Sequence, residues 1–347
     1  MITNIQFLRA FAALSVVIYH TEFYYRGVVH TEFQGVAIFF VISGFIMTYI
    51  SRNNSKKFFL KRCIRIIPIY SLLTIALFLF KFRELMPYDI FDYIYNNKHH
   101  AGLTFEMLLK SLLYVPYQNI RGDWHPIIGV GWTLNLEMYF YVTYAISLLI
   151  SIKYAPAIVC ISILFINTFG DWYPNSIPSF YTNYYTYYFV LGIISYYVWR
   201  ALSVKIEDDS KNTFVISTSV CLIMFFFLWH LYPEITSQYW QPFIVATNYL
   251  LPLMIVLSAL MLHSSNIRCT YRIVILIGNS SYALYLIHTL VIGQLRLMGY
   301  TVNSQSGLIM LILVISLSLL SSIIIHYGFE IPATRYLRDL FERKSVR

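Results

Sequence analysis

The sequence predicts an all-α integral membrane protein with about ten transmembrane helices. Of its 347 residues, 58% are hydrophobic and only 12% are charged. The mean hydropathy is +0.62. A soluble domain of this length needs more charge to cover its surface, and apolar segments of about 20 residues, the length that crosses a bilayer, recur along the chain.

Ten apolar segments are long enough to be candidate spans. They are residues 5–24, 33–51, 64–82, 131–151, 154–170, 181–199, 213–232, 243–263, 273–294 and 306–329. The fifth segment is short, and the first contains several polar residues. The ten segments account for most of the chain and leave short polar loops between them.

Basic residues predict the orientation of these spans. With both termini in the cytoplasm, 17 of the 25 Lys and Arg residues fall in inner loops or in the C-terminal tail. Two outer loops, 171–179 and 232–241, contain no basic residue. This excess matches the positive-inside rule. We therefore expect both termini to be cytoplasmic.

The segment 83–130 is the longest predicted outer loop. Within it, residues 103–115 carry apolar side chains at helical spacing, which predicts a helix lying at the outer interface. No second domain is indicated, so we interpret residues 1–347 as a single transmembrane domain.

The composition excludes some functions. A net charge of +9 favours nucleic-acid binding in a soluble protein, but here the basic residues stand between apolar segments as topology signals, so no nucleic acid is expected. The four cysteines form no pair with metal-ligand spacing, and we expect no metal site.

Ionisable residues inside the predicted spans are the candidates for function, because charge within a membrane is costly and usually has a partner. Eleven positions separate Arg9 from His20, which places both on one helix face about 16 Å apart. Counting from the span ends, we expect Glu137 and His288 at the same outer level as His20. The alternatives are that Arg9 reaches to the inner interface and that His288 is a packed core histidine.

Arg62 and Arg65 lie at the opposite, inner end of the third span, level with Arg9. The sequence therefore predicts a cationic layer near the inner surface and a His/Glu layer near the outer one. Anchoring of the third helix at lipid headgroups is the simpler alternative for Arg62 and Arg65.

Several motifs together resemble one family. They are the Arg-x10-His pair, FFVISGFIM (39–47), RxxRIxPxY (62–70), WTLxxExxFY (132–141), SYxLYLxH (281–288) and FExP (329–332). In this order they resemble the acyltransferase-3 family of integral membrane acyltransferases. Within that family the opening of the chain looks closest to exopolysaccharide and O-antigen O-acetyltransferases.

The resemblance implies ten spans in a bacterial cytoplasmic (inner) membrane, an acetyl-CoA donor and a hydroxyl acceptor on a surface polysaccharide or its lipid-linked precursor. It implies no permanently bound cofactor, and it implies that Arg9 and His20 are required for activity.

Chemistry assigns a role to each candidate residue. Guanidinium groups bind phosphates through paired donors, so Arg9, Arg62 and Arg65 are predicted to hold CoA. His20 is predicted to take a proton from the acceptor hydroxyl, with Glu137 orienting the imidazole or stabilising its charge. We expect the three residues His288, Tyr285 and Trp132 to bind substrate.

Two alternatives remain open at this stage. An acetyl-histidine intermediate accounts for the same residues as direct transfer. A proton-coupled transporter of a glycan or small solute also places polar residues at matching depths.

Overall fold

The computed structural model describes residues 2–21, 33–53, 57–82, 104–119, 122–203, 209–231, 241–299 and 307–343. These residues form helices and connecting turns and no β-strand. The α-helices, in chain order, are α1 (Thr3–His20), α2 (Gly35–Asn53), α3 (Phe58–Phe82), α4 (Phe105–Leu112), α5 (Trp132–Ile150), α6 (Ala155–Phe169), α7 (Ile177–Tyr181), α8 (Thr186–Ser203), α9 (Asp209–Leu231), α10 (Gln241–Ser264), α11 (Arg272–Asn279), α12 (Ser281–Leu297), α13 (Gly307–Ile325) and α14 (Ile331–Arg343).

The all-α membrane class is confirmed, and helix occupies each of the ten predicted segments. Among the described residues, seven helices are long and apolar enough to cross a membrane, or eight if the bent pair α11 and α12 forms one span. The helices in the other two predicted spans, α1 and α8, carry more polar side chains. Their crossing of the membrane and the cytoplasmic position of both termini stay predictions.

The ninth predicted span, 273–294, is not one straight helix. It divides into α11 and α12, whose axes bend by 72° at Ser280. Gly278 explains where α11 lies, because a Cβ atom there would come within 2.2 Å of the Gln6 carbonyl oxygen. The close contact presses α11 against α1, and the bend then directs α12 along α1 on the other side of the break.

The helix α1 lies in the middle of the bundle and contacts α2, α10, α11 and α12. Most of its side chains are buried, including Arg9. A helix that is mostly buried among other helices has little need for the uniform hydrophobicity of a peripheral span, which accounts for its polar residues.

Two glycines bring α2 and α8 into backbone contact. A Cβ on Gly44 would meet the Phe189 carbonyl oxygen at 2.2 Å, and one on Gly192 would meet the Val41 carbonyl oxygen at 2.2 Å. Small residues commonly allow such close approach between membrane helices. Beside this contact, Phe189 stacks on Phe40 and on Phe140, with ring centroids 4.4 and 4.2 Å apart, and so joins α2, α8 and α5.

In the predicted outer loop, α4 begins with a side-chain cap, in which the Thr104 hydroxyl accepts a hydrogen bond from the Met107 amide at 3.2 Å. Three of its neighbouring apolar side chains, Phe105, Leu109 and Leu113, are exposed. A helix is therefore present within the predicted range 103–115. Its location at the membrane interface stays a prediction, and residues 83–103 of the loop lie outside the described part of the chain.

Candidate functional site

A cavity lies between α1, α2, α3, α5 and α12, and its empty space, counted together with the open solvent at its mouth, is about 740 Å³. Its wall combines apolar side chains with three guanidinium groups, one carboxylate and several hydroxyls. The polar lining residues are Arg9, Ser43, Arg62, Arg65, Thr133, Glu137, Tyr141, Ser281, Tyr282 and Tyr285. The three arginines that the sequence places in one cationic layer therefore line one cavity between the helices, which we call the chamber.

Arg9 is held in this chamber by two neighbours. Its Nη2 donates to the Ser281 hydroxyl at 2.8 Å, and its Nη1 donates to Gln6 Oε1 at 3.4 Å. Only 7% of Arg9 is exposed. The side chain is thus fixed inside the bundle by α12, and the alternative that it reaches out to the inner interface is wrong.

Arg62 and Arg65 reach the same chamber from α3. The positions are three residues apart, which puts them on neighbouring sides of the helix. The Nε atom of Arg62 is buried, and it has no hydrogen-bond partner among the described residues. Anchoring at lipid headgroups, the simpler alternative, does not by itself explain why the Arg62 guanidinium faces a cavity between the helices and has an unsatisfied donor.

Glu137 lies in the arginine chamber, not beside His20 as its distance from the span end predicts. Its Oε1 accepts hydrogen bonds from the Ser43 hydroxyl at 3.0 Å and from the Tyr141 hydroxyl. Because Thr133, one turn earlier on α5, contacts Tyr285, Glu137 is about 6 Å deeper than that contact. The expected outer layer of three residues is therefore reduced to two histidines.

His20 and His288, two of the three residues that the sequence predicts at the outer level, lie side by side. His288 Nε2 lies 3.3 Å from His20 Nδ1, and the ring centroids are 5.0 Å apart. His288 is fully buried, whereas His20 stands at the end of α1. Arg9 and His20 thus contact the same partner helix, α12, one through Ser281 and the other through His288.

The hydrogen bonds of this pair favour one tautomer. Nδ1 of His20 is 2.9 Å from the Val16 carbonyl oxygen, and Nδ1 of His288 is 3.2 Å from that of Leu284. A carbonyl oxygen can only accept, so on both imidazoles the Nδ1 atom that faces it carries the hydrogen. The single Nδ1 hydrogen of His20 is then shared between the Val16 carbonyl oxygen and His288 Nε2, and the His20 lone pair is on Nε2.

The first turn of α5 connects the chamber to the histidine pair. Thr133 and Tyr285 line the chamber, and their hydroxyl oxygens are 2.8 Å apart. The Tyr285 and His288 ring centroids are 5.9 Å apart. The histidines are not among the chamber's lining residues in the described part of the chain, so Tyr285 stands between the two groups. Trp132 lies on the other side of this turn, in a separate cleft.

The sequence pattern of one protein family, described as an acyltransferase domain, matches residues 2–327. That range contains both polar groups and every helix that lines the chamber. The chain belongs to this acyltransferase family. The family predicted from the motifs is confirmed, and the chain is a multi-pass membrane member of it.

Two curated relatives are similar over part of the acyltransferase domain. The exopolysaccharide production protein ExoZ of Rhizobium meliloti (strain 1021) is 39% identical over 118 residues, which are 33% of each chain. Nodulation protein 10 of Rhizobium leguminosarum bv. viciae is 34% identical over 115 residues, 31% of each chain. The chain thus spans about a third of the length of these relatives. No solved structure matches it.

Some polar neighbours in this candidate site were not selected from the sequence. Ser43 and Tyr141 bind Glu137, and Ser281 binds Arg9. Each of them belongs to a motif that carries the family resemblance, so the signal was present in the letters around the charged residues. Hydroxyl groups are common in apolar helices, where they bond to their own backbone, and their partners emerge only from the packing.

The FExP motif (329–332) falls at a break in regular helix. Residues His326–Glu330 form a π-helical turn between α13 and α14, and His326 Nδ1 lies 2.7 Å from Glu330 Oε2. This turn packs against α3, the helix of Arg62 and Arg65, and Glu330 is close enough to Arg9 for an electrostatic interaction. Single π turns often occur at functional sites. The motif therefore adds a second buried carboxylate near the arginines.

Proposed function

We propose that this protein transfers an acetyl group from acetyl-CoA to a hydroxyl group of a bacterial surface polysaccharide, or of its lipid-linked precursor, in the inner membrane. The observation that carries the proposal is the chamber in which Arg9, Arg62 and Arg65 converge inside a membrane acyltransferase. The names of the two relatives, one concerned with exopolysaccharide production and one with nodulation, support a glycan acceptor.

The three arginines suit the donor because CoA carries several phosphates at one end and a thioester at the other. Guanidinium groups bind phosphate oxygens through paired hydrogen bonds and remain charged at any physiological pH. The Arg62 side chain lines the chamber, and its buried Nε, which has no hydrogen-bond partner among the described residues, becomes a donor for such an anion once the side chain turns it towards the cavity. The pantetheine arm then extends past Tyr285 towards the histidine pair.

At the thioester, His20 acts as the general base. The acceptor hydroxyl oxygen bonds to the thioester carbonyl carbon while its proton passes to His20 Nε2. The carbon–sulfur bond breaks, and the CoA sulfur takes this proton, which returns His20 to its neutral form. His288 contributes by accepting the His20 Nδ1 hydrogen, a bond that strengthens when the imidazole becomes charged.

Glu137 is not in contact with this base, so we assign it to the donor chamber. Its carboxylate moderates the positive charge of the three arginines and fixes Tyr141 and Ser43 by hydrogen bonds. This replaces the role of orienting His20 that its position in the sequence predicts.

Radiolabelled acetyl-CoA and the purified protein in lipid nanodiscs provide the test, with histidine variants compared for acetyl-CoA turnover. His20→Ala is expected to lower turnover by about 100-fold or more, the range of a lost general base, while acetyl-CoA binding stays within about twofold.

A matched control is His230→Ala. His230 also ends a helix and holds its Nδ1 2.8 Å from the carbonyl oxygen four residues earlier, but it is on α9. Turnover is expected to remain near wild type in this variant. Full turnover by His20→Ala would refute the assignment. Mass spectrometry of surface glycans from deletion and complemented strains, differing by one acetyl group, checks the product.

A further inference from the structure

A second concave site lies outside the chamber. Two segments form it, one preceding α5 and one around α7, and it contains about 860 Å³ of empty space. Its principal lining residues are Asp123, Trp124, His125, Trp132, Phe180 and Asn183. In the predicted topology these segments lie at the outer ends of the spans 131–151 and 181–199, so the cleft is predicted to open on the side opposite to the CoA entrance.

In the first segment, hydrogen bonds join Asn119 to Asp123. Asn119 N donates to the Asp123 carbonyl oxygen at 2.9 Å, and Asn119 Oδ1 accepts from the Asp123 amide at 3.0 Å. Gly122 takes a φ of +84°, a conformation that suits glycine. Trp124, which follows Asp123, packs on Phe180 of α7 with ring centroids 5.4 Å apart. The position of the Trp124 ring in the cleft is therefore fixed by this contact.

The polar groups of the cleft suit an uncharged ligand. Among the described residues that line it, Asp123 is the one carboxylate and none is Lys or Arg. Burial lowers the pKa of His125, an effect that the Asp123 charge only partly offsets, so this imidazole is neutral at neutral pH. A described lining without Lys or Arg does not suit the phosphates of CoA, which distinguishes this part of the cleft from the arginine chamber.

Aromatic faces beside hydrogen-bonding side chains are the chemistry that recognises a sugar ring. The axial C–H groups of a pyranose form a weakly positive, apolar patch that packs on the negative face of an aromatic ring. Its hydroxyls bind carboxylate and amide groups. Asn183 Oδ1 already accepts from the Tyr185 amide at 3.0 Å, which directs its NH2 group away as a donor.

The first turn of α5 separates the cleft from the chamber, because its successive residues face the two sites. Trp132 lines the cleft, and the next residue, Thr133, lines the chamber and bonds to Tyr285. Tyr285 in turn neighbours His288, whose imidazole is 3.3 Å from that of His20. A ligand in the cleft is therefore next to the turn of α5 that leads to the proposed base.

We infer that this cleft binds a pyranose unit of the acceptor glycan, packed on Trp124 and Trp132 and hydrogen-bonded by Asp123 and Asn183. The inference rests on the proposed acyl transfer to a glycan and assigns the acceptor to a cleft separate from the donor chamber. Acceptor and donor then approach the histidine pair from opposite sides of the first turn of α5.

Saturation-transfer difference NMR on the full chain in nanodiscs tests this inference. The probes are methyl pyranosides of glucose, galactose, mannose and N-acetylglucosamine, with sorbitol as a polyol that has no ring. At least one pyranoside is expected to receive saturation on its ring hydrogens, and sorbitol to receive little. Trp124→Ala is expected to lower the affinity for that pyranoside about fivefold or more, and Trp124→Phe is expected to retain most of the wild-type affinity.

Trp172→Ala is the matched control. Trp172 is another tryptophan of the predicted outer loops, 74% exposed and outside the cleft, and its loss should leave pyranoside binding unchanged. Absence of pyranoside binding to the wild type, equal binding by Trp124→Ala, or equal saturation of sorbitol would each overturn the inference.

Acetyl-CoA titrated into the same preparations separates this inference from the proposed function. Donor binding and turnover without pyranoside binding would reject the cleft and keep the acyltransferase proposal. Pyranoside binding that depends on Trp124, in a protein that binds no acetyl-CoA, would keep the sugar site and reject the donor. Donor binding by Trp124→Ala also shows that this variant is folded.

Discussion

Replacement of Arg62 by lysine tests the donor chamber most directly. The Nε of Arg62 is buried without a hydrogen-bond partner among the described residues, and the side chain lines the cavity. An unsatisfied buried donor costs about 1–3 kcal/mol, and a phosphate that accepts from it recovers this energy on binding. Lysine keeps the positive charge but has neither the Nε donor nor the planar fork.

The expected loss of acetyl-CoA affinity in Arg62→Lys follows from that energy. A loss of about 1–3 kcal/mol corresponds to a dissociation constant raised about 5- to 150-fold. Calorimetric titration of acetyl-CoA into the protein in nanodiscs measures it. Lys61→Arg is the control, because Lys61 precedes Arg62 on α3 and is exposed. This control should change the affinity by less than about twofold.

Acetyl-pantetheine, which lacks the nucleotide and its phosphates, distinguishes phosphate binding from a structural role. Its slow use as a donor should be the same in Arg62→Lys and in wild type, because the missing hydrogen bonds are to groups that it does not carry. Raising the salt concentration should weaken the binding of acetyl-CoA and leave the binding of acetyl-pantetheine unchanged. Equal losses with both donors would refute the reasoning and make Arg62 a structural residue.

Three further predictions follow from the charges, the packing and the topology. Glu137→Gln removes a negative charge from a chamber lined by three arginines, so acetyl-CoA should bind severalfold more tightly in a calorimetric titration, and unchanged or weaker binding would contradict this placement. Gly192→Ala forces a Cβ to within 2.2 Å of a carbonyl oxygen on α2, and overpacking of this kind costs about 1–3 kcal/mol, so the unfolding temperature in detergent should fall. Gly328→Ala meets nothing within 4 Å and should leave that temperature unchanged or slightly raised, whereas an equal fall in both variants would argue against helix contact as the cause. In a cysteine-free background, an impermeant maleimide added outside should label cysteine at Trp172 and not at Tyr271, both highly exposed, and the reverse pattern would invert the topology.

The helices were predictable because the length of an apolar segment is a local property of the sequence. The break at Ser280 was not predictable, since hydropathy gives the length of an apolar segment and not the direction in which its helix runs. The 72° bend depends on the contact between Gly278 and α1, which joins positions more than 270 residues apart in the chain. Contacts of that kind are absent from any local pattern.

The candidate site was predictable in its members and only partly in its arrangement. The spacing of Arg9 and His20 predicts two separate groups, because one helix fixes it, and the structure places the two residues in different groups. Glu137 was expected beside His20 and lies with the arginines instead, because counting from a span end assumes that all helices begin at the same level. The loop before α5 instead folds into the bundle, with Ile128 fully buried, so residue numbers there do not measure depth.

The glycine contact between α2 and α8 also limits how the chamber can change its size. Ile46 and Met47, on the turn after Gly44, line the donor chamber, and the backbone behind them already touches the neighbouring helix. This wall cannot retreat to make room for a larger group. Because the acyl group is proposed to lie beyond Tyr285, at the histidine pair, substitution of a chamber residue such as Met47 is expected to change the binding of the CoA end and to leave the choice of acyl chain unchanged.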